Sequence, residues 1–331
     1  MGISAQEVKE LREQTGAGMM ECKKALTEAA GNMEEAITIL RKRGLASAAK
    51  KAGRITSEGL VEARIAGASG KQIGVVVEVN CETDFVARTD DFKNFVSQVA
   101  IHLLSHPCKE VEELLQQKFS AAPALNLDPS IPTLIIQPGA VEGSKTVGEM
   151  LTERIAQIGE NIAVRRFERF EAGDSGTLGK YIHAGGKIGV LVEMGSVGKS
   201  PQADSEVQEL VHDIAMHIAA SDPRYLGRQD VPAEVLEKEK DIARAKVPPG
   251  KPAPVVEKIV EGQLSKFYGE VCLLEQPFVK EPGMSVGQWI TQKSQSWGGS
   301  AEVRRYARFK TGEGLEKRGS DFAGEVAAQL K

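Results

Sequence analysis

The apolar run Ile73-Gly-Val-Val-Val-Glu-Val79 is short and β-branched, and it predicts a buried strand. It ends in Asn80-Cys-Glu-Thr-Asp-Phe-Val86, where the acid Asp84 stands beside the aromatic Phe85. The two side chains have opposite solvation needs. One reading has Phe85 capping the chain's own core, as apolar residues after strands usually do. The other places the pair at a tip that enters a pocket of another molecule.

Upstream, the pattern changes to a helical period. Ser4 and Glu7 fit a capping box, followed by apolar Val8 and Leu11. Thr15–Gly18 is a turn, and Met19 to Ala30 predicts a second helix. Asn32 with Glu35 signals a third N-terminus, and Ala36, Ile37 and Leu40 supply its apolar stripe. Residues 1–53 thus read as a three-helix module, small and marginal alone. Arg43 to Thr56, with Lys50, Lys51 and Arg54, reads as a basic linker, favoured over a nucleic-acid contact.

Residues 57–312 repeat themselves. Lys71-Gln-Ile-Gly-Val-Val-Val-Glu78 matches Gly186-Lys-Ile-Gly-Val-Leu-Val-Glu193, and His102 matches His217 at an offset of 115. Thr146-Val-Gly-Glu149 matches Ser285-Val-Gly-Gln288, and Val164-Arg-Arg-Phe167 matches Val303-Arg-Arg-Tyr306, at an offset of 139. The second copy therefore carries 24 extra residues, placed between Pro223 and a Leu273 that pairs with Leu134. Each copy reads strand, strand, helices, strand, which predicts an α+β fold with two related subdomains, 57–175 and 176–312.

The extra segment, about 224–271, predicts a helical hairpin. Glu234 to Lys246 and Val255 to Tyr268 favour helix, and the proline-rich turn from Val247 to Pro254 cannot be crossed by one. Residues 313–331 predict a C-terminal helical module, its helix running from Leu315 to Leu330 with Phe322, Val326 and Leu330 on one face. The segment from Ser120 to Ile136 is rich in proline and apolar residues and reads as a loop.

Composition narrows the function. Of 331 residues 41% are hydrophobic and 27% charged, as in ordinary globular proteins. Aromatics at 5% and a net charge of −4 argue against a nucleic-acid platform. Cys22, Cys81, Cys108 and Cys272 have no metal-type spacing and read as the reduced thiols of a cytoplasmic protein. No apolar run approaches the roughly 20 residues that span a bilayer. No phosphate-loop pattern and no nucleophile elbow is present, so neither direct nucleotide binding nor covalent catalysis is expected. His102 and His106 share helical spacing but lack a third strong ligand, so no metal is expected, and no other cofactor. His183, in Tyr181-Ile-His-Ala-Gly-Gly-Lys187, is the best functional histidine, with a plain surface residue as its alternative. Met19 and Met20 are either module core or a contact surface, a use to which methionine adapts well.

The stretch from Val8 to Leu26, with Thr83-Asp-Phe-Val86, closely resembles the elongation factor Ts family. The resemblance runs from about Ser4 to Asp321-Phe-Ala-Gly-Glu-Val-Ala-Ala328. It implies a ubiquitin-associated-like N-terminal module, a duplicated core, a coiled-coil protrusion at the hairpin, and guanine-nucleotide exchange on elongation factor Tu in the cytoplasm. It implies partner contacts at Thr83, Asp84, Phe85 and Val86, with Phe85 as a wedge near the partner's magnesium site. Arg12, Met19 and Met20 are implied contacts of the N-terminal module, and His183 and Phe322 further ones. The competing readings are a ribosome-associated or ubiquitin-like-binding scaffold, for which the Asp84-Phe85 tip has no use, and a metalloenzyme, which lacks a ligand set.

Overall fold

The computed structural model describes residues 3–67, 72–120, 142–197 and 201–316. Phe322, Leu134 and most of the 120–136 loop and of the C-terminal module lie outside the described residues. Three helices open the chain: α1 (Ala5–Thr15), α2 (Met19–Glu28) and α3 (Met33–Lys51). The Ser4–Glu7 capping box starts α1, and the Asn32 carboxamide accepts from the Glu35 amide at 3.1 Å to start α3. Val8, Leu11, Cys22, Ala25, Leu26 and Ala36 form the core of this group.

One expectation is corrected here. Arg43 to Lys51 is not linker but the last turns of α3. No proline interrupts 33–51, the Ala46–Ala49 stretch favours helix, and Lys50 and Lys51 complement the negative end of the helix dipole. Only residues 52–57 connect α3 to the first strand.

The first copy contains β1 (Glu58–Ala66), β2 (Ile73–Cys81), α4 (Asp84–Arg88), α5 (Asp90–Ser105), α6 (Val111–Gln116), β3 (Lys118–Ser120), β4 (Glu142–Thr146), α7 (Val147–Ile158) and β5 (Ile162–Glu171). The second contains β6 (Gly176–His183), β7 (Ile188–Val197), α8 (Pro201–Ser221), α9 (Ala233–Ala245), α10 (Ala253–Val271), β8 (Pro277–Phe278), β9 (Glu281–Ser285), α11 (Val286–Ser296) and β10 (Ser300–Lys310). The sheets β1-β2-β5 and β6-β7-β10 are antiparallel, with β2 and β7 central. The fold is α+β. Among the described residues no helix is long and apolar enough to cross a membrane.

Each central strand is buried on both faces, which is why it reads as a continuous apolar run. Val75, Val77 and Val79 pack with Phe92, Phe95 and Leu103 of α5, and Val190, Val192 and Met194 pack with Ile214 and Ile218 of α8. On the opposite faces the sheets meet through a third cluster, in which Ala63, Val76 and Phe170 face their repeat counterparts Leu178, Leu191 and Phe309. The correspondence between the copies extends to polar groups. Buried Glu78 accepts from Arg165 (3.0 Å), Arg166 (2.7 Å) and the Gly312 amide (2.7 Å). Buried Glu193 accepts from Arg304 (3.4 Å), Arg305 (2.7 Å) and the Gly173 amide (3.0 Å). Burial works to raise the Glu193 carboxyl, but those donors outweigh it and hold it below the usual carboxylate range. The Arg166 guanidinium stacks over Phe309 and Arg305 over Phe170, so each copy locks the other.

The placement of the insertion also needs correction. His102 bonds Gln117 at 2.9 Å, and His217 bonds Gln276 at 3.0 Å; each histidine also faces a phenylalanine, Phe119 or Phe278. Gly148 abuts the Leu115 carbonyl and Gly287 the Leu274 carbonyl, too close in both for a Cβ without a shift. Leu273 therefore matches Leu114, and Gln276 matches Gln117 at an offset of 159. The second copy gains 44 residues around the hairpin, and the first gains 20 between Phe119 and Thr146. The expected 24 is the net of these two.

Candidate functional site

Strand β2 ends at Cys81, and α4 begins three residues later. Thr83 supplies the N-cap, its hydroxyl accepting from the Val86 amide at 3.3 Å. The Cys81 thiol donates to the Thr83 carbonyl at 3.2 Å; burial pushes this thiol up to about 12, so it stays protonated and unreactive. Val86 packs against the first copy's core and Ala87 is buried within it. Between these anchors the helix geometry turns Phe85 outward, and the residue is 79% exposed. The reading in which Phe85 caps the chain's own core does not hold. Asp84 makes an exposed ion pair with Arg88, one helical turn on, at 2.7 Å. Such pairs contribute about 0.3–0.5 kcal/mol, so the carboxylate can change partners at small cost.

The base of this tip is tied down by two carboxylates. Glu160 accepts from the Glu82 amide (3.1 Å), the Thr83 amide (3.0 Å) and the Thr83 hydroxyl (2.6 Å). Glu82 in turn accepts from the Asn161 amide (2.7 Å) and from Arg54 (3.2 Å). The Asn161 carboxamide donates to the carbonyls of Ala52 and Arg54, at 3.4 and 3.1 Å. Gly159 makes this approach geometrically accessible: it ends α7 in the left-handed conformation, φ 87°, and delivers Glu160 and Asn161 to β2's end. Arg88, Glu160 and Asn161 were missed in the sequence. Glu160 is separated from Thr83 by 77 positions and belongs to no local motif.

The other expected residues lie on other elements. Met19 and Met20 are 59% and 64% exposed at the start of α2, so they are not core of the helical module. Arg12 is exposed near the end of α1. The turn that follows it docks on α7, where Gln157 donates to the Thr15 carbonyl at 2.7 Å. Gln157 in the last turn of α7 and Glu160 just beyond its Gly159 cap thus make this segment a shared support for the helical module and the tip. Ion pairing of Arg41 with Glu149 at 2.6 Å adds to that contact, and a groove of about 470 Å³ runs between the module and α7. His183 is exposed at the end of β6, not in a loop, with Nδ1 3.2 Å from the Tyr181 hydroxyl. The turn after it touches the first copy: Lys187 pairs with Glu58 at 2.7 Å, and Glu58 is the register partner of Cys81. Phe322 falls outside the described residues.

His102 and His217 are structural. His102 is 1% exposed, bonded to Gln117 and stacked on His106 at 4.3 Å. Burial holds its pKa down at about 4, and burial also lowers that of His217. Among the described residues no group of three or more acids, histidines and cysteines is arranged to hold a metal ion.

Comparison with known proteins places this geometry in context. A family model described as Elongation factor TS matches residues 82–313. A protein named Elongation factor Ts from Trichlorobacter lovleyi is 49% identical over 330 residues, covering 99% of this chain and 98% of its own. Proteins of the same name from Clostridium perfringens and Syntrophotalea carbinolica are 45% and 47% identical, each covering at least 98% of both chains.

Proposed function

The chain belongs to the elongation factor Ts family, and from that premise we propose that it is the guanine-nucleotide exchange factor for elongation factor Tu. It binds the GDP complex, accelerates GDP release and leaves the partner free to load GTP. It performs no covalent step. Exchange follows from linkage: a factor that binds the nucleotide-free partner more tightly must weaken nucleotide binding by the same free energy.

The observation that carries this reading is Phe85, held outside the fold on a capped turn whose base is fixed by Glu160. A scaffold without exchange activity has no use for an exposed aromatic ring so presented. The ring enters the partner beside its magnesium site. Asp84, released from Arg88, brings a carboxylate there and disturbs the metal's coordination. With the phosphates less neutralised, GDP leaves faster. Arg12, Met19 and Met20 grip the partner from the helical module, which is supported by the same end of α7 as the tip. Phe322 and His183 add contacts from the C-terminal module and the second copy. The chain binds no nucleotide itself and acts in the cytoplasm. Residues 1–53, 57–175, 176–312 and 313–331 serve as helical module, two core subdomains and terminal module.

The test is release of fluorescent GDP from preloaded elongation factor Tu, followed in real time with and without the chain. Acceleration that grows and saturates with the chain's concentration is expected. A release rate equal to the spontaneous one would end the proposal.

A further inference from the structure

The two copies of the core offer an internal control. Their buried Glu–Arg–Arg–Gly groups are the same: Glu78 with Arg165, Arg166 and Gly312, and Glu193 with Arg304, Arg305 and Gly173. So are the His–Gln pairs and the left-handed glycines Gly159 and Gly298 that follow α7 and α11. Chemistry found in both copies serves what both copies share, the fold. The carboxylate clamp at the tip is not shared. At the matching offsets Glu82 corresponds to Val197, Glu160 to Gly299 and Asn161 to Ser300. Thr83-Asp-Phe corresponds to Gly198-Lys-Ser. In the sequence, the clamp residues thus accompany only the copy that carries Asp84 and Phe85.

We propose that Glu160 is a positioning residue for exchange, acting through Thr83 to hold Phe85 and Asp84 in the orientation that enters the partner. The inference rests on the exchange function proposed above. One carboxylate accepts from two consecutive amides and from the hydroxyl of the second residue, so it fixes both the direction of the chain leaving β2 and the rotamer of the capping side chain. The capped hydroxyl then fixes the Val86 amide, and with it the first turn of α4. Because α4 has only five residues, it has no length of its own to keep that direction. Glu82 completes a reciprocal pair by holding the Asn161 amide, so the two ends cannot shift independently. Glu160 itself touches neither Asp84 nor Phe85 through any of these bonds, and it makes no claim on the partner.

The experiment uses the full chain in five forms: wild type, Glu160→Ala, Glu160→Gln, Phe85→Ala, and the double variant Glu160→Ala/Phe85→Ala. Four quantities are read: maximal GDP release from preloaded elongation factor Tu, half-saturating concentration, melting temperature, and amide hydrogen exchange at Glu82 and Thr83. Glu160→Ala is expected to lower the maximal rate by about 10- to 100-fold, the scale of losing a positioned group, and to speed exchange at both amides. Glu160→Gln keeps an acceptor for the amides and should stay within about threefold of wild type. In the Phe85→Ala background, removing Glu160 should cost several-fold less than it does in wild type, because one of the two side chains it positions is already gone and only its effect through Asp84 remains. A full additional loss in that background overturns the proposal, as does a wild-type maximal rate for Glu160→Ala. If Glu160→Ala does not fold, Glu160→Asp decides, because its shorter side chain withdraws the carboxylate from the amides and the hydroxyl while keeping the charge: faster amide exchange with a proportionate loss of rate supports the role, and any other outcome overturns it. A wild-type chain that fails to accelerate release overturns the exchange function and this inference together, which separates that failure from failure of the inference alone.

Discussion

Phe85→Ala separates a surface tool from a core residue, and the structure sets both magnitudes. With 79% of the residue exposed, only about one fifth of its surface is buried in the free chain. Phenylalanine carries roughly 200 Å² of surface, so about 40 Å² is buried, worth about 1 kcal/mol at 25 cal/mol per Å². In a chain of this size that shifts the melting temperature by about 2–4 °C at most. Phe92, fully buried in the same copy, gives the contrast: truncation there should cost about 3–5 kcal/mol. The effect on exchange should run the other way. The remaining roughly 160 Å² is available to a partner, and burying it would be worth up to about 4 kcal/mol before ordering costs. A central aromatic anchor typically loses at least about 2 kcal/mol on truncation, which is about 30-fold. Stopped-flow release of fluorescent GDP at saturating factor reads that loss, and scanning calorimetry reads the stability. A melting temperature lowered as far as in Phe92→Ala would show that the ring supports its own fold. Unchanged exchange with an unchanged melting temperature would show that the exposed ring does nothing for the partner.

Three further outcomes follow from the same geometry. Deleting residues 1–53 should leave both sheets folded, with a modest fall in melting temperature from exposing Ala156 and the Ile155 carbonyl on α7, and should weaken binding to elongation factor Tu at least tenfold in calorimetry; unchanged affinity would remove Arg12, Met19 and Met20 from the interface. Trimming the hairpin between Leu236 and Phe267, with a Gly-rich turn, should fold and keep most exchange activity, because Val231, Tyr225, Val271 and Cys272 at its base form their own cluster; loss of exchange with a normal melting curve would place the hairpin in the exchange machinery. Stability should fall with pH from about 6.5 toward about 4, because the unfolded chain takes up protons that buried His102 refuses, by up to about 1.4 kcal/mol per pH unit for such a histidine; melting temperatures flat across that window would show that His102 is not held neutral.

The sequence made some of this legible because local signals repeat. Thr146 and Glu149, and Ser285 and Gln288, form capping boxes in both copies, and the paired Ile-Gly-Val runs become the two central strands. What it hid was non-local. The clamp joins Glu160 to Thr83 across the four helices α4 to α7 and the strands β3 and β4, and no spacing rule connects a carboxylate to amides so far away. Insertions of opposite effect partly cancel in the count, so sequence spacing pairs Leu273 with Leu134, whereas the glycine contacts at Gly148 and Gly287 pair it with Leu114. The basic stretch at the end of α3 looked like linker because charge is a weak guide to backbone conformation, whereas the absence of a breaker was the stronger signal.

Duplication also sorts residues that look alike. Of the five histidines, His102 and His217 occupy the same position in both copies, are buried and bond matching glutamines; fold alone accounts for them. His183 corresponds to Ala68, His212 to Ser97 and His106 to Ser221 at the 115 offset, so the fold does not require an imidazole at any of these. His106 stacks on His102 inside one copy, which gives it a local structural use. His183 and His212 both contact Tyr181, from different directions, on the exposed side of the second copy. The same criterion applies to acids. Glu78 and Glu193 are counterparts, each with two guanidiniums, and removing either would leave those charges without their buried partner, an effect on stability. Asp84 and Glu160 have Lys199 and Gly299 as counterparts. Their loss should therefore register in exchange before it registers in folding, which is the order expected of groups that only one half of a symmetric scaffold needs.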